Sequence, residues 1–370
     1  MLLTNHHYWF YIQEAFRNEM LDKKCWEILW PENELERVHS CPICGEYDRE
    51  LLFLDLVDNA FRVANGKWNL YQCKSCLGAY LDPRPDRGSI YKAYGVYYTH
   101  ETTTTERKPI EDLSKLRKFR RKLMNGYYNY HHGTQRAPHH KLGALLLLFY
   151  PRLRKTKNAE FRYLHKPQPG QSLLDVGCGN GEFLSLAAEV GWDVSGVDPD
   201  PKAVELAKNR GHKVLLGDIG RYTESREIFD VITMNHVIEH LHDPSEYVKA
   251  AYRLLKPGGT LYIDTPNIES AGAKKYQKDW RGLEAPRHLV LFSKQGLSNI
   301  LVRNGFSKIR FSRRPEVRAG IALKSFRIQL GKSPYSNIPK RLPLRLFLEA
   351  IFPRLPCQEE FLTLIAVRPY

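Results

Sequence analysis

The sequence predicts an α/β fold, a parallel sheet covered by helices on both faces. Three observations predict it. From residue 171 short apolar runs alternate with helical patterns. A glycine-rich loop, Gly177-Cys-Gly-Asn-Gly181, joins the first run to the first helical pattern. Acids stand at the ends of successive runs, at Asp175, Asp198 and Asp218. Alternation of this kind builds βαβ units, whose ligands sit outside the carboxyl ends of the strands.

In order, "QSLLDVG" reads as a buried strand, "NGEFLSLAAEVG" as a helix, and "WDVSGVD" as a second strand. "PKAVELAKNRG" is a helix and "HKVLLGD" and "FDVITMN" are strands. "DPSEYVKAAYRLLKPGG" is a helix capped by Asp243 and ended by Gly258, and "TLYIDTPN" follows as a strand. "SKIRFSRR" and "EFLTLIAVRP" read as the last two strands.

The glycine spacing is G-x-G-x-G, not the G-x-G-x-x-G that cradles a pyrophosphate. Asp175, inside the strand end, suits a positively charged ligand. Asp198 is placed to accept hydrogen bonds from ribose hydroxyls. Gly217-Asp218-Ile219 is placed to meet an adenine edge. Asn235 ends the fourth strand of the series.

Upstream, Cys41-Pro-Ile-Cys44 and Cys73-Lys-Ser-Cys76 form two C-x-x-C pairs separated by 28 residues. Four thiolates at these spacings predict one closed, structural tetrahedral zinc site in a small ribbon. The remaining cysteines are scattered, which argues for a reducing compartment rather than a disulfide framework.

The chain of 370 residues carries a net charge of +15. Residues 107–166 are net +13 and residues 313–354 net +8, so the remainder is acidic. Such segments suit an anionic membrane surface, a phosphorylated substrate or a nucleic acid. The N-terminus shows no basic region before an apolar one, and the longest apolar run, Ala144 to Tyr150, is too short to span a bilayer. The expected location is cytoplasmic, peripheral at most to the inner face of the membrane.

"HVIEH", residues 236–240, has the H-x-x-E-H order of inverted zinc proteases. A protease would need a third ligand and its own cleft. The position after the fourth strand instead puts His236, Glu239 and His240 beside the ligand edge of the sheet.

"LLDVGCGNG", "VDPD", "GDI", "FDVITMNHVIEHLHDP" and "LLKPGGTLYIDTPN" together resemble the class I S-adenosylmethionine-dependent methyltransferases. The resemblance implies a Rossmann-like seven-stranded sheet with its last strand antiparallel; the cysteine pairs add an N-terminal zinc ribbon to it, and the basic segments add helical insertions. It implies that Asp175, Gly177, Gly179 and Gly181 hold the methionine part of the cofactor, Asp198 the ribose and Asp218 the adenine, with Ile219 and Asn235 beside them. The "HVIEHL" segment is similar to ubiquinone-biosynthesis O-methyltransferases, which have Glu where His236 stands and some of which are thought to bind a divalent metal there. The zinc ribbon, the tyrosines at 94, 97 and 98 and the stretch "WRGLEAPRHLVLFS" resemble bacterial methyltransferases of surface-polysaccharide and secondary-metabolite sugar pathways.

The resulting organisation is a helical extension (1–39), a zinc ribbon (40–90), a basic helical lid or linker (91–160), a methyltransferase core (161–312), a basic insertion (313–358) and a final core strand (359–370). The expected acceptor is a small or lipid-linked sugar, methylated on oxygen or carbon. His288 is the first candidate base and His236 the second. Arg287 would hold an anionic acceptor group, and Tyr94, Tyr97 and Tyr98 would close over the cofactor. An RNA methyltransferase and an inactive zinc-ribbon adaptor are the alternatives, with nucleic acid ranked behind the sugar.

Overall fold

The computed structural model describes residues 25–95, 113–146, 151–222, 224–335 and 358–370. Residues 1–24 of the extension, Tyr97 and Tyr98, and residues 336–357 of the 313–358 insertion lie outside these residues.

The ribbon is built from β1 (Leu35–Glu36), β2 (Arg49–Leu56), β3 (Trp68–Cys73), β4 (Ala79–Leu81) and β5 (Arg84–Pro85). β2, β3 and β4 are antiparallel neighbours, and β1 pairs with β5. After the ribbon come a helix, α1 (Lys115–His132), the short α2 (Gly143–Leu146) and α3 (Pro151–Glu160).

The C-terminal half contains β6 (Ser172–Val176), β7 (Asp193–Asp198), β8 (Lys213–Leu216), β9 (Phe229–Asn235), β10 (Leu255–Pro266), β11 (Val290–Leu291), β12 (Ser307–Ser312) and β13 (Phe361–Val367). Seven of these form one sheet in the order β12-β13-β10-β9-β6-β7-β8. The pairs β10·β9, β9·β6, β6·β7 and β7·β8 are parallel, and β13 runs antiparallel to both β10 and β12. The predicted seven-stranded sheet with an antiparallel last strand is therefore present. β6 and β9 are near-continuous apolar runs because helices cover both faces.

Asp243 caps the helix Pro244–Leu254 as expected, accepting from Ser245 N at 3.0 Å and Glu246 N at 3.2 Å. That helix stops before Gly258, however. Pro257 cannot donate to the ladder and disfavours a helical Lys256, so β10 begins at Leu255.

The ribbon does not end at its own residues. β11, from the C-terminal half, pairs with β4 and completes a four-stranded sheet in the order β11-β4-β3-β2. One apolar core runs through Cys41, Ile43, Cys73 and Cys76 of the ribbon to Val176, Ile232 and Ile263 of the large sheet.

Candidate active site at the carboxyl edge of the sheet

Sheet order reverses between β6 and β9, and the loops leaving these strands open a crevice at their carboxyl ends. The glycine loop leaves β6 there. Gly177, Gly179 and Gly181 have φ of 69°, 54° and 80°, where a side chain is disfavoured. A Cβ on Gly177 would stand 2.5 Å from Val237 Cγ2, so the loop needs glycine to lie against the segment after β9.

Asp198, at the end of β7, accepts from Gly179 N at 2.8 Å and from Asp200 N at 2.9 Å. It thus fixes the glycine loop with lone pairs to spare. Burial is the main influence on its carboxyl and raises its pKa. Asp218 accepts from Gly220 N at 2.8 Å and from the Tyr247 hydroxyl at 3.0 Å. Ile219 is buried in the core, and Asn235 pairs in register with Asp264. The residues predicted for a nucleoside therefore stand at the ends of β7, β8 and β9, on either side of the glycine loop that leaves β6, and the glycine cradle fits a ligand that lies against backbone.

Asp175 takes a different part. It is fully buried, and its cation comes from the chain: both of its oxygens bind the Arg162 guanidinium, with Thr233 Oγ1 donating at 2.8 Å. Arg162 also packs over the Phe183 ring, 3.4 Å from its centroid. Arg162 was missed in the sequence, where it is a lone cation between two aromatics. Both it and Tyr163 adopt positive φ, 51° and 55°. Non-glycine residues in that region cost about 1–3 kcal/mol and persist where the surroundings hold them.

His236, following β9, has φ 55° and donates its backbone N–H to Asp264 O at 2.8 Å. Its imidazole lies between two buried carboxylates. Nδ1 is 3.1 Å from Glu239 Oε1 and Nε2 is 3.7 Å from Asp264 Oδ2, while the side chain is 41% exposed. Burial works to lower its pKa, but Glu239 and Asp264 outweigh it and the pKa rises. Glu239 is held down at about 2: burial would raise it, but His236, His240 and His288 reverse the effect. Asp264 is further bound by Arg314 Nη1 at 2.7 Å and by the Thr363 hydroxyl. An acid inside the apolar "LYIDTP" was the available signal for it.

The other predicted residues change place. His288 is buried at 4%, with Nδ1 2.8 Å from Gly282 O and its ring 4.8 Å from that of His240. Burial drives its pKa down to about 4. Arg287 is not free for an acceptor. It is buried against Asp58 of the ribbon, Nη2 to Oδ1 at 2.7 Å, and donates to Ala93 O at 2.9 Å. Tyr94 does reach the site, its hydroxyl 3.0 Å from His240 Nδ1. The protease pattern is not assembled: "IEH" is a 3-10 turn, and the close group is Glu239, His240 and His288, with donor atoms within 4.8 Å of one another. These three are near enough to share a cation.

The four predicted cysteines meet. Cys41 Sγ is 3.6 Å from Cys76 Sγ, Cys44 Sγ is 3.5 Å from Cys73 Sγ, and all four lie within 4.8 Å of one another. Sulfurs on a tetrahedron with Zn–S of about 2.3 Å are about 3.8 Å apart, so the cluster fits zinc.

Residues 135–310 match the family model described as a methyltransferase domain. This stretch is similar to a methyltransferase domain. Among similar curated proteins, the ubiquinone biosynthesis O-methyltransferase of Coxiella burnetii is 36% identical over 104 residues, covering 26% of this chain and 44% of the relative. That of Thiobacillus denitrificans is 34% identical over 140 residues, covering 32% and 59%. The chain spans about half the length of these curated relatives. Their names point to ubiquinone, where the sequence resemblance also pointed to sugars. Among solved structures, phosphoethanolamine N-methyltransferase 2 of Haemonchus contortus is 22% identical over 58% of this chain and 53% of that one, at a TM-score of 0.42.

Proposed function

We propose that the methyltransferase domain transfers the methyl group of S-adenosylmethionine to a hydroxyl oxygen of a small acceptor. The observation that carries this reading is His236, held between Glu239 and Asp264 at the edge that also carries the glycine cradle, Asp198 and Asp218. The curated relatives, O-methyltransferases by name, favour oxygen as the acceptor atom. A sugar hydroxyl remains within this chemistry, but the names of those relatives lend it no support.

The cofactor supplies an electrophilic sulfonium methyl. Gly177, Gly179 and Gly181 would lie along it, Asp198 would accept from the ribose hydroxyls, and Asp218 with Ile219 would border the adenine. Arg162 and Asp175 neutralise each other beneath the loop and hold its base in place. His236 takes the hydroxyl proton: its flanking carboxylates stabilise the imidazolium that forms, which makes it a better acceptor than a free imidazole. His288, neutral and buried, packs behind His240 and braces the loop that carries Glu239. The sequence ranking of the two histidines is thereby reversed, because burial takes His288 out of reach. In the ribbon, zinc would hold Cys41, Cys44, Cys73 and Cys76 as a closed structural site.

Calorimetry with S-adenosylmethionine tests the cofactor edge. Asp198→Ala should lose roughly 1.5–3 kcal/mol per hydrogen bond to the charged carboxylate. Unchanged affinity would refute the placement of the ribose. Acceptor labelling from methyl-tritiated cofactor, in lysate with and without RNase, separates a small hydroxyl acceptor from RNA.

A further inference from the structure

The first half of α1, "KLRKFRRKLM", contains no acid. Leu116, Phe119 and Leu123 follow the i, i+3, i+7 spacing of one helical face. That face is not covered at its outer end: Leu116 is 78% and Phe119 49% exposed. Lys115 borders the stripe on one side and Arg120 on the other, and both are exposed, as is Arg117.

A second element extends the stripe. The turn leading into α2 packs on α1: His140 N donates to Lys122 O at 2.9 Å, and the His140 ring stands 5.8 Å from that of Phe119. A Cβ on Gly143 would overlap Leu123 O at 1.9 Å, so the two backbones are in direct contact. From this platform Leu142 and Leu145 project outward, 54% and 55% exposed. Four large apolar side chains on these two packed elements thus face water, and cations border the stripe on α1. Among the described residues, two acids beside this region already have partners: Glu160 bonds Lys157 and the Tyr128 hydroxyl, and Glu189 bonds Arg136.

We propose that this face, Leu116, Phe119, Leu142 and Leu145 with Lys115, Arg117 and Arg120, docks the protein on an anionic lipid bilayer. The chemistry selects that occupant. Apolar side chains on one side of a helix with cations at the margin match a surface that is hydrocarbon below and negatively charged above. A nucleic acid would use the cations but would leave three leucines without a partner. No described helix is long and apolar enough to cross a membrane, so the contact is interfacial. The inner end of α1 packs Tyr128 on Phe161, the residue before Arg162, and so ties the docked helix to the cofactor edge.

Sedimentation of the full chain with vesicles tests the proposal, independently of the acceptor. The wild type should sediment with phosphatidylcholine–phosphatidylglycerol vesicles, stay in solution with phosphatidylcholine alone, and be released as salt screens the surface charge. Arg117→Gln with Arg120→Gln should lower partition roughly 30-fold. Leu116→Ser with Phe119→Ser, at unchanged charge, should lower it on the order of tenfold. Each variant is compared at a melting temperature matching the wild type. The proposal is overturned if wild-type protein ignores anionic vesicles or binds neutral ones equally. It is also overturned if the serine variant, folded, binds like the wild type, or if RNA strips the wild type from vesicles at equal phosphate.

Discussion

Asp58 of the ribbon and Arg287 of the C-terminal half form a buried ion pair across the join between the two. Arg287 Nη2 is 2.7 Å from Asp58 Oδ1, and both side chains are almost fully shielded from water. Asp58 also accepts the backbone N–H groups of Phe61, Val63 and Ala64 at 3.0, 3.0 and 3.2 Å. Removing one partner leaves an uncompensated charge, whereas replacing both with apolar groups need not. Arg287→Met should therefore destabilise the protein by roughly 3–5 kcal/mol. Asp58→Ala should cost at least as much, since three N–H groups lose their acceptor as well. Chemical denaturation of the single variants and the double variant checks this. A double variant as unstable as the sum of the singles would mean that the pair is not coupled.

Zinc should be present at one ion per chain, and its removal should loosen the C-terminal half as well as the ribbon. Ser293 Oγ donates to Cys76 O, and Arg303 Nη1 donates to Cys44 O at 2.9 Å. Hydrogen exchange after chelation, or in Cys73→Ser, should rise in residues 287–296 as well as in 41–81. Exchange confined to the ribbon would show that the shared sheet transmits nothing.

The pH dependence of the histidines follows from their surroundings. His288 has a lowered pKa, so the folded state binds its proton less readily than the unfolded chain. Its contribution is complete above pH 6.5 and is lost at about 1.4 kcal/mol per unit as pH falls from 6.5 towards about 4. His236 is the opposite case. Its raised pKa gives stability that is full below pH 6.5 and is lost as pH rises through the folded value. Imidazole NMR at pH 6, assigned with His236→Gln and His288→Gln, should find His236 largely charged and His288 neutral. The reverse order would remove the argument for His236 as the proton acceptor.

Gly177→Ala should abolish cofactor binding while the sheet remains folded. The substitution forces a Cβ onto Val237 and a side chain into φ of 69°. The left-handed conformation alone costs roughly 1–2 kcal/mol. Val237→Ala in the same chain should relieve the contact but not the backbone cost, so recovery should be partial. Full binding by the single variant would place the cofactor elsewhere.

The sheet was legible because its strands are buried on both faces and read as apolar runs between glycine and acid punctuation, from "SLLDV" to "FLTLIAV". The cysteine pairs were legible because metal chemistry dictates their spacing. Arg162 was not, because its pairing with Asp175 spans a loop and depends on two positive-φ residues that no pattern announces. Arg287 was misjudged for a related reason. A cation beside a histidine in a proline turn looks available for a ligand, and only the packing of the ribbon reveals that Asp58 already holds it. His288 was ranked by its position in the chain, which does not announce that the side chain is buried.

The strand that β11 lends to the ribbon also orders events during synthesis. Tyr80 pairs with Val290, about 210 residues later in the chain. At roughly 5–20 residues per second, β4 leaves the ribosome roughly ten to forty seconds before its neighbour exists. Over that interval β4 is an open edge carrying Tyr80 and Leu81, side chains that end fully buried. An unpaired apolar edge of this kind is a template for joining to another nascent chain. Early capture of zinc by the four thiols would hold the ribbon together without closing the edge, which only the arrival of Leu289 to Leu291 can do.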